Sequence, residues 1–176
     1  MSSSSFSSQL SSYVSSIRDE YEKDLKLYIR HHNNKLNWYL HTICIPAEAT
    51  FFLVTIGVVL YPIFDYGYSR ALLMMFSCIV ALYYLLLARY HSIPSAVAII
   101  LMGYLATSLI TFKGIWLYAV VIEIIAWSLQ VFVGHYFLNK NNPSMTQELS
   151  IRSMISSVLL CWDNSDNDYI VKENDS

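Results

Sequence analysis

The chain has 176 residues, of which 55% are hydrophobic and 14% charged, with a formal net charge of −2; mean hydropathy is +0.41 and the pI about 6.2. Soluble domains carry about 25% charged residues and nucleic-acid binders a basic excess, so neither class fits. Five Gly and four Pro exclude collagen-like and low-complexity chains, and three Cys with no close pair exclude a disulfide scaffold.

In chain order, residues 1–16 contain ten Ser and no basic residue. A signal peptide needs a basic start and an apolar core, so residues 1–20 are expected to be a flexible leader. Four apolar runs follow, Leu40–Tyr61, Ala71–Ala88, Ile93–Phe112 and Ile115–Leu138. Each is near the roughly 20 residues that a helix needs to cross a bilayer. Within them the charged side chains are Glu48 and Glu123 alone. The intervening segments, 62–70, 89–92 and 113–114, are short enough to make neighbours antiparallel. Pro46 predicts a kink or a late start in the first run, and Pro94 falls in the first turn of the third. Cys44, Cys78 and Cys161 lie in apolar surroundings and are expected to be inert packing thiols. After the runs, Ile151–Cys161 is a short apolar segment expected on the membrane surface. The tail beyond it, rich in Asp and Asn from Asp163 on, is expected to be disordered.

The expected fold class is therefore all-α: a polytopic membrane protein with about four transmembrane helices in an up-down bundle. Arg18, Lys23, Lys26, Arg30, Lys35, Arg89, Lys140 and Arg152 then fall on one side, against Arg70 and Lys113 on the other. The positive-inside rule places both termini in the cytoplasm.

The same topology sorts the histidines. His31, His32, His41, His91 and His135 all fall near the cytoplasmic ends of the runs, and several imidazoles converging at one depth can hold a transition metal. Asn37, His41, Glu48 and Thr55 continue one helical stripe. On the fourth run Glu123, Trp127, Gln130 and Gly134 form an expected inward stripe, with His135 beside it. His32 lies about 180° from His41 on a continuous helix, so it joins the site only if the chain bends, for which Asn33 and Asn34 are suited. Intramembrane carboxylates are functional candidates by default. Glu48, however, lies about 10 Å below His41 and Glu123 about 18 Å from His135 along their helices. An all-histidine site is easier to build.

The pattern His32-x4-Asn37-x3-His41-x4-Pro46, with Trp127-x2-Gln130-x3-Gly134-His135-x7-Pro143 downstream, resembles the endoplasmic-reticulum 2-hydroxy fatty acid dioxygenase family of yeast type. The resemblance covers residues 21–145 and sets residues 146–176 apart as a short amphipathic segment and an acidic tail. It implies an Fe2+-dependent α-oxidation of 2-hydroxy fatty acids by O2 in phytosphingosine breakdown, in the endoplasmic reticulum membrane. His32, His41 and His135 would be the metal ligands, with Asn37 and Gln130 as supporting polar groups; His31 and His91 lie off the pattern. The family's acidic residue four positions after the Gly-His pair is Asn139 here. Two other classes compete: a non-enzymatic lipid-binding or assembly subunit, and a proton-coupled transporter using Glu48 and Glu123. The chain has no inverted repeat and no pair of Gly/Pro-broken helices, which speaks against transport.

Overall fold

The computed structural model describes residues 3–32, 34–140 and 151–163, and all the secondary structure among them is helical. Helix α1 spans Ser3–His31 and α2 spans Lys35–Ala88; a short 3-10 turn at Arg89–Ser92 leads into α3, Ile93–Leu109. Helix α4, Ile115–Ser128, continues as a π-helix over Leu129–Asn139, and α5 is Ile151–Trp162. Two stretches, Lys35–Leu109 and Ile115–Asn139, are long and apolar enough to cross a membrane.

Helix α2 is two arms. Pro62 precedes the break, and Asp65 leaves the helical region at φ 61°, ψ 176°, a conformation costly for a residue with a Cβ. The Asp65 carboxylate accepts from the Tyr68 amide at 3.1 Å, which caps the second arm in the usual N-terminal manner. The expected connector over 62–70 is thus a break at one residue, because a self-capping Asp restarts a helix without a loop. The arms lie side by side, so that a Cβ at Gly57 would strike Leu73 of the opposite arm. Gly103 of α3 approaches Ser77 as closely.

Many small and polar residues are buried beside the apolar core, while large apolar side chains cover the outside. Ser69, Ser77, Ser95, Ala106, Thr107 and Ala119 are buried, whereas Leu82, Leu101, Leu105, Leu117, Ile124 and Phe137 are exposed. Small residues at helix contacts with large aliphatics facing out is the pattern of helices packed in lipid. Cys44 and Cys161 are buried, and Cys78 faces the apolar outside.

Three expectations are corrected here. The described part of the Ser-rich stretch is the start of α1 and not a flexible leader: Ile17, Tyr21, Leu25 and Tyr28 recur at helical spacing and pack against the core, anchoring a helix that runs back to Ser3. Arg18 Nε adds a bond to the Leu86 carbonyl at 2.7 Å. Helix α5 packs into the core rather than lying outside it, with four successive residues, Val158 to Cys161, buried. Asp163, expected in a disordered tail, is buried and accepts from the Tyr21 hydroxyl at 2.6 Å. Burial, and after it that bond, hold the Tyr21 phenol far above its ordinary pKa. Tail residues beyond 163, Asn33 and Pro143 lie outside the described residues.

Pro46 explains where α5 docks. The helix neither starts late nor breaks there: α2 begins at Lys35, and its only departure from helical backbone angles is Asp65. Proline has no N–H, so the carbonyl four residues earlier loses its helical partner. That carbonyl belongs to Thr42, and the indole of Trp162 donates to it at 3.3 Å. The Tyr84 hydroxyl donates in turn to the Ile155 carbonyl at 2.5 Å, which pins the other end of α5.

These contacts make a double-mutant cycle informative. Trp162→Phe should destabilise the detergent-solubilised protein by about 1–3 kcal/mol, the cost of a buried acceptor left unmet. Pro46→Ala supplies an amide to the same carbonyl, so the loss should shrink by about 0.5–1.5 kcal/mol in that background. Equal losses in both backgrounds, measured by thermal unfolding, would contradict the pairing.

Candidate metal centre

His32, His41 and His135 reach one point from three helical segments, and all three are buried. Their ligand nitrogens lie within 4.8 Å of one another. Ring centroids are 4.3 Å apart for His32 and His41, 5.0 Å for His32 and His135, and 4.9 Å for His41 and His135. The planes of each pair are close to perpendicular, at 80°, 76° and 79°.

Each histidine arrives for a different local reason. His32 is the first residue past α1, where the last carbonyls lack intrahelical partners. Its Nδ1 lies 2.7 Å from the Tyr28 carbonyl, so the side chain caps the helix that delivers it. The chain then bends, and Asn34 restarts it in an extended conformation, φ −90°, ψ 123°. The Asn34 Oδ1 accepts from the Leu36 amide at 2.9 Å and the Asn37 amide at 3.4 Å. Its Nδ2 reaches the Leu138 carbonyl at 3.5 Å. One side chain thus links the start of α2 to the end of the π-helix. His41 sits two turns into α2, its Nδ1 3.0 Å from the Asn37 carbonyl.

His135 depends on the π-helix. On an α-helix Gln130 and His135 would point about 140° apart. The i→i+5 bonding of a π-helix brings residues five apart round to one face, and Gln130, Gly134 and His135 are all buried. The expected stripe is corrected at one member: Trp127 faces outward, and its place is taken by Ala126, buried one residue earlier. The inward stripe is Ala119, Glu123, Ala126 and Gln130, spaced four, three and four as a helix requires.

Gly134 is glycine because of the site. A Cβ there would overlap Asn37 Oδ1 and crowd the His41 ring. Asn37 itself is fully buried, and its side-chain amide has no hydrogen-bond partner among the described residues. Such a group costs about 1–3 kcal/mol in a folded protein and is expected where a ligand completes it. The Gln130 amide donates to Glu48 at 2.6 Å and more weakly to the Ala126 carbonyl at 3.4 Å. Glu48 on α2 and Gln130 on the π-helix meet in that bond. His91 is exposed in the 3-10 turn, against the Tyr90 ring.

Sequence reasoning missed Tyr28, whose ring stacks on His32 with centroids 3.8 Å apart and planes 19° from parallel. The signal was its position four residues before His32, one helical turn away.

The donor set suits a transition metal. An Nδ1–H donated to a carbonyl puts the lone pair of His32 and of His41 on Nε2, the tautomer that such sites use. Two nitrogens each ~2 Å from one ion lie at most ~4 Å apart, so side-chain adjustments of about 1 Å complete the geometry. Three imidazoles without a carboxylate favour Fe, Zn, Cu or Ni over Mg or Ca.

A family model described as 2-hydroxy-palmitic acid dioxygenase Mpo1-like matches residues 18–166. The chain belongs to this family. Its name describes a dioxygenase acting on a hydroxylated fatty acid, and the matched range contains every residue of the buried triad. No match was found among curated proteins or among solved structures.

Gly134→Ala tests the crowding. It should lower divalent-metal affinity at least about 10-fold through displaced ligand side chains while leaving helical circular dichroism unchanged. Wild-type metal binding by this variant would show that the close approach is not needed.

Proposed function

We propose that the protein is an Fe2+-dependent dioxygenase that shortens 2-hydroxy fatty acids by one carbon, RCH(OH)COOH + O2 → RCOOH + CO2 + H2O. The observation that carries this reading is the convergence of three buried imidazoles within 4.8 Å in a chain whose family is named for this type of oxidation. His32, His41 and His135 hold the ion. Bound there, ferrous iron would supply the redox chemistry that the reaction with O2 needs.

The protein's own groups bind and orient the acid. Asn37, buried beside His41 and Gly134, donates from its amide to the substrate carboxylate or 2-hydroxyl, which satisfies a group that otherwise lacks a partner. Gln130 has its nitrogen committed to Glu48, which fixes the side chain and leaves its carbonyl oxygen as the acceptor for the 2-hydroxyl proton. The burial of all five residues keeps bulk water out, so that polar contacts to the acid are strong and side reactions are suppressed. The acyl chain lies in the apolar part of the bundle.

The setting is a membrane, by the apolar exterior and the two long apolar stretches. The two arms of α2, α3 and the α4–π segment make four crossings with both ends cytoplasmic, as the basic residues favour. The membrane is that of the endoplasmic reticulum and the route is sphingoid-base breakdown, as the resemblance implies.

Protein purified in detergent and loaded with Fe2+ should consume 2-hydroxypalmitate under O2 and release the 15-carbon acid and CO2 in equal amounts. Chelation should abolish turnover. Fe2+ should restore it, and Zn2+, which has no redox chemistry, should not. His41→Ala and His135→Ala should fall to background. Turnover by His41→Ala at the wild-type rate would overturn the reading.

A further inference from the structure

His32 has a weaker claim to a fixed position than the other two ligands. His41 and His135 stand within helices, whereas His32 follows the last residue of α1 at a chain bend. An imidazole on such a backbone would rotate freely unless something else held it. Tyr28 holds it twice. Its carbonyl lies 2.7 Å from His32 Nδ1, and its ring covers one face of the imidazole at 3.8 Å and 19°. A carbonyl acceptor alone fixes which nitrogen carries the proton but permits the ring to rock about that bond. A stacked ring removes the rocking.

The Tyr28 side chain is itself immobile. It is buried in the core cluster with Tyr21, Leu25 and the apolar face of α5. Its hydroxyl has no hydrogen-bond partner among the described residues. The ring and the main chain carry the contact with His32.

We propose that Tyr28 is a positioning residue for the metal site, setting the tautomer of His32 through its carbonyl and the plane of the imidazole through its ring. The proposal rests on the reading of the triad as a metal centre. It also gives α5 a role in the site: by packing against Tyr28 it braces His32 through an intermediate that touches neither metal nor substrate. Groups that orient a ligand histidine are worth about 10- to 100-fold in metal affinity.

Cobalt(II) binding to the metal-free protein, followed by its visible spectrum, separates the outcomes. Tyr28→Phe keeps ring and carbonyl and should bind within about 3-fold of wild type with the same spectrum. Tyr28→Leu keeps only the carbonyl and should bind about 10- to 100-fold more weakly, with an altered spectrum. Wild-type binding and spectrum in a folded Tyr28→Leu protein would overturn the proposal, as would a Phe variant as impaired as the Leu one. Failure of the wild type to bind cobalt at all would instead overturn the metal-centre reading. A measurement on the metal-free wild type needs no variant: imidazole 15N correlations should show His32 as a single Nδ1–H tautomer, and averaged tautomers would contradict the proposal.

Discussion

Polar groups inside this bundle have no water to turn to, and the structure is organised by how each one finds a partner. An apolar exterior makes the constraint strict, because an unmet carbonyl or amide in an apolar medium costs several kcal/mol. Pro46 strips the Thr42 carbonyl of its helical donor, and Trp162 supplies another; that contact brings α5 into the core. The last carbonyls of α1 lack donors, and His32 supplies one; that contact directs the imidazole inward. Glu48 and Gln130, one on each of two facing helices, satisfy each other. Asn37 is among the exceptions, a fully buried amide with no partner among the described residues, and it adjoins the triad.

The candidate metal centre and the fold share their supports. Asn34 caps α2 and reaches the end of the π-helix, so the bend that delivers His32 also ties the two segments bearing His41 and His135. Gly134 permits the approach of α2 to the π-helix at the height of Asn37 and His41. A substitution at any of these positions is expected to be felt first as a change in ligand geometry, since the bundle's apolar contacts lie elsewhere.

Much of the helical fold was legible in the sequence, and for a physical reason: a helix able to cross a bilayer must be apolar for about 20 residues, and the two long apolar stretches, Lys35–Leu109 and Ile115–Asn139, lie where the charge-poor runs are. The histidines were legible because so few polar residues flank those runs. Gly134 and Asn37 lay within the recognised pattern, but their mutual fit depends on an interhelical distance that no spacing encodes. The π-helix was hidden because every stripe was drawn with the α-helical period, and that period put Trp127 inside and left the alignment of Gln130 with His135 unexplained. Asp65 concealed a helix break as an apparent loop. The burial of α5 was hidden because its reason lies 120 residues before Trp162, at the Thr42 carbonyl that Pro46 leaves without a helical donor.

The central claim is that three imidazoles from distant parts of the chain share one ion. X-ray absorption at the iron edge of the Fe2+-loaded protein tests it most directly. The account predicts three imidazole nitrogens in the first shell, identified by the outer-ring scattering of histidine. A first shell of oxygen alone, or of a single histidine, would contradict it.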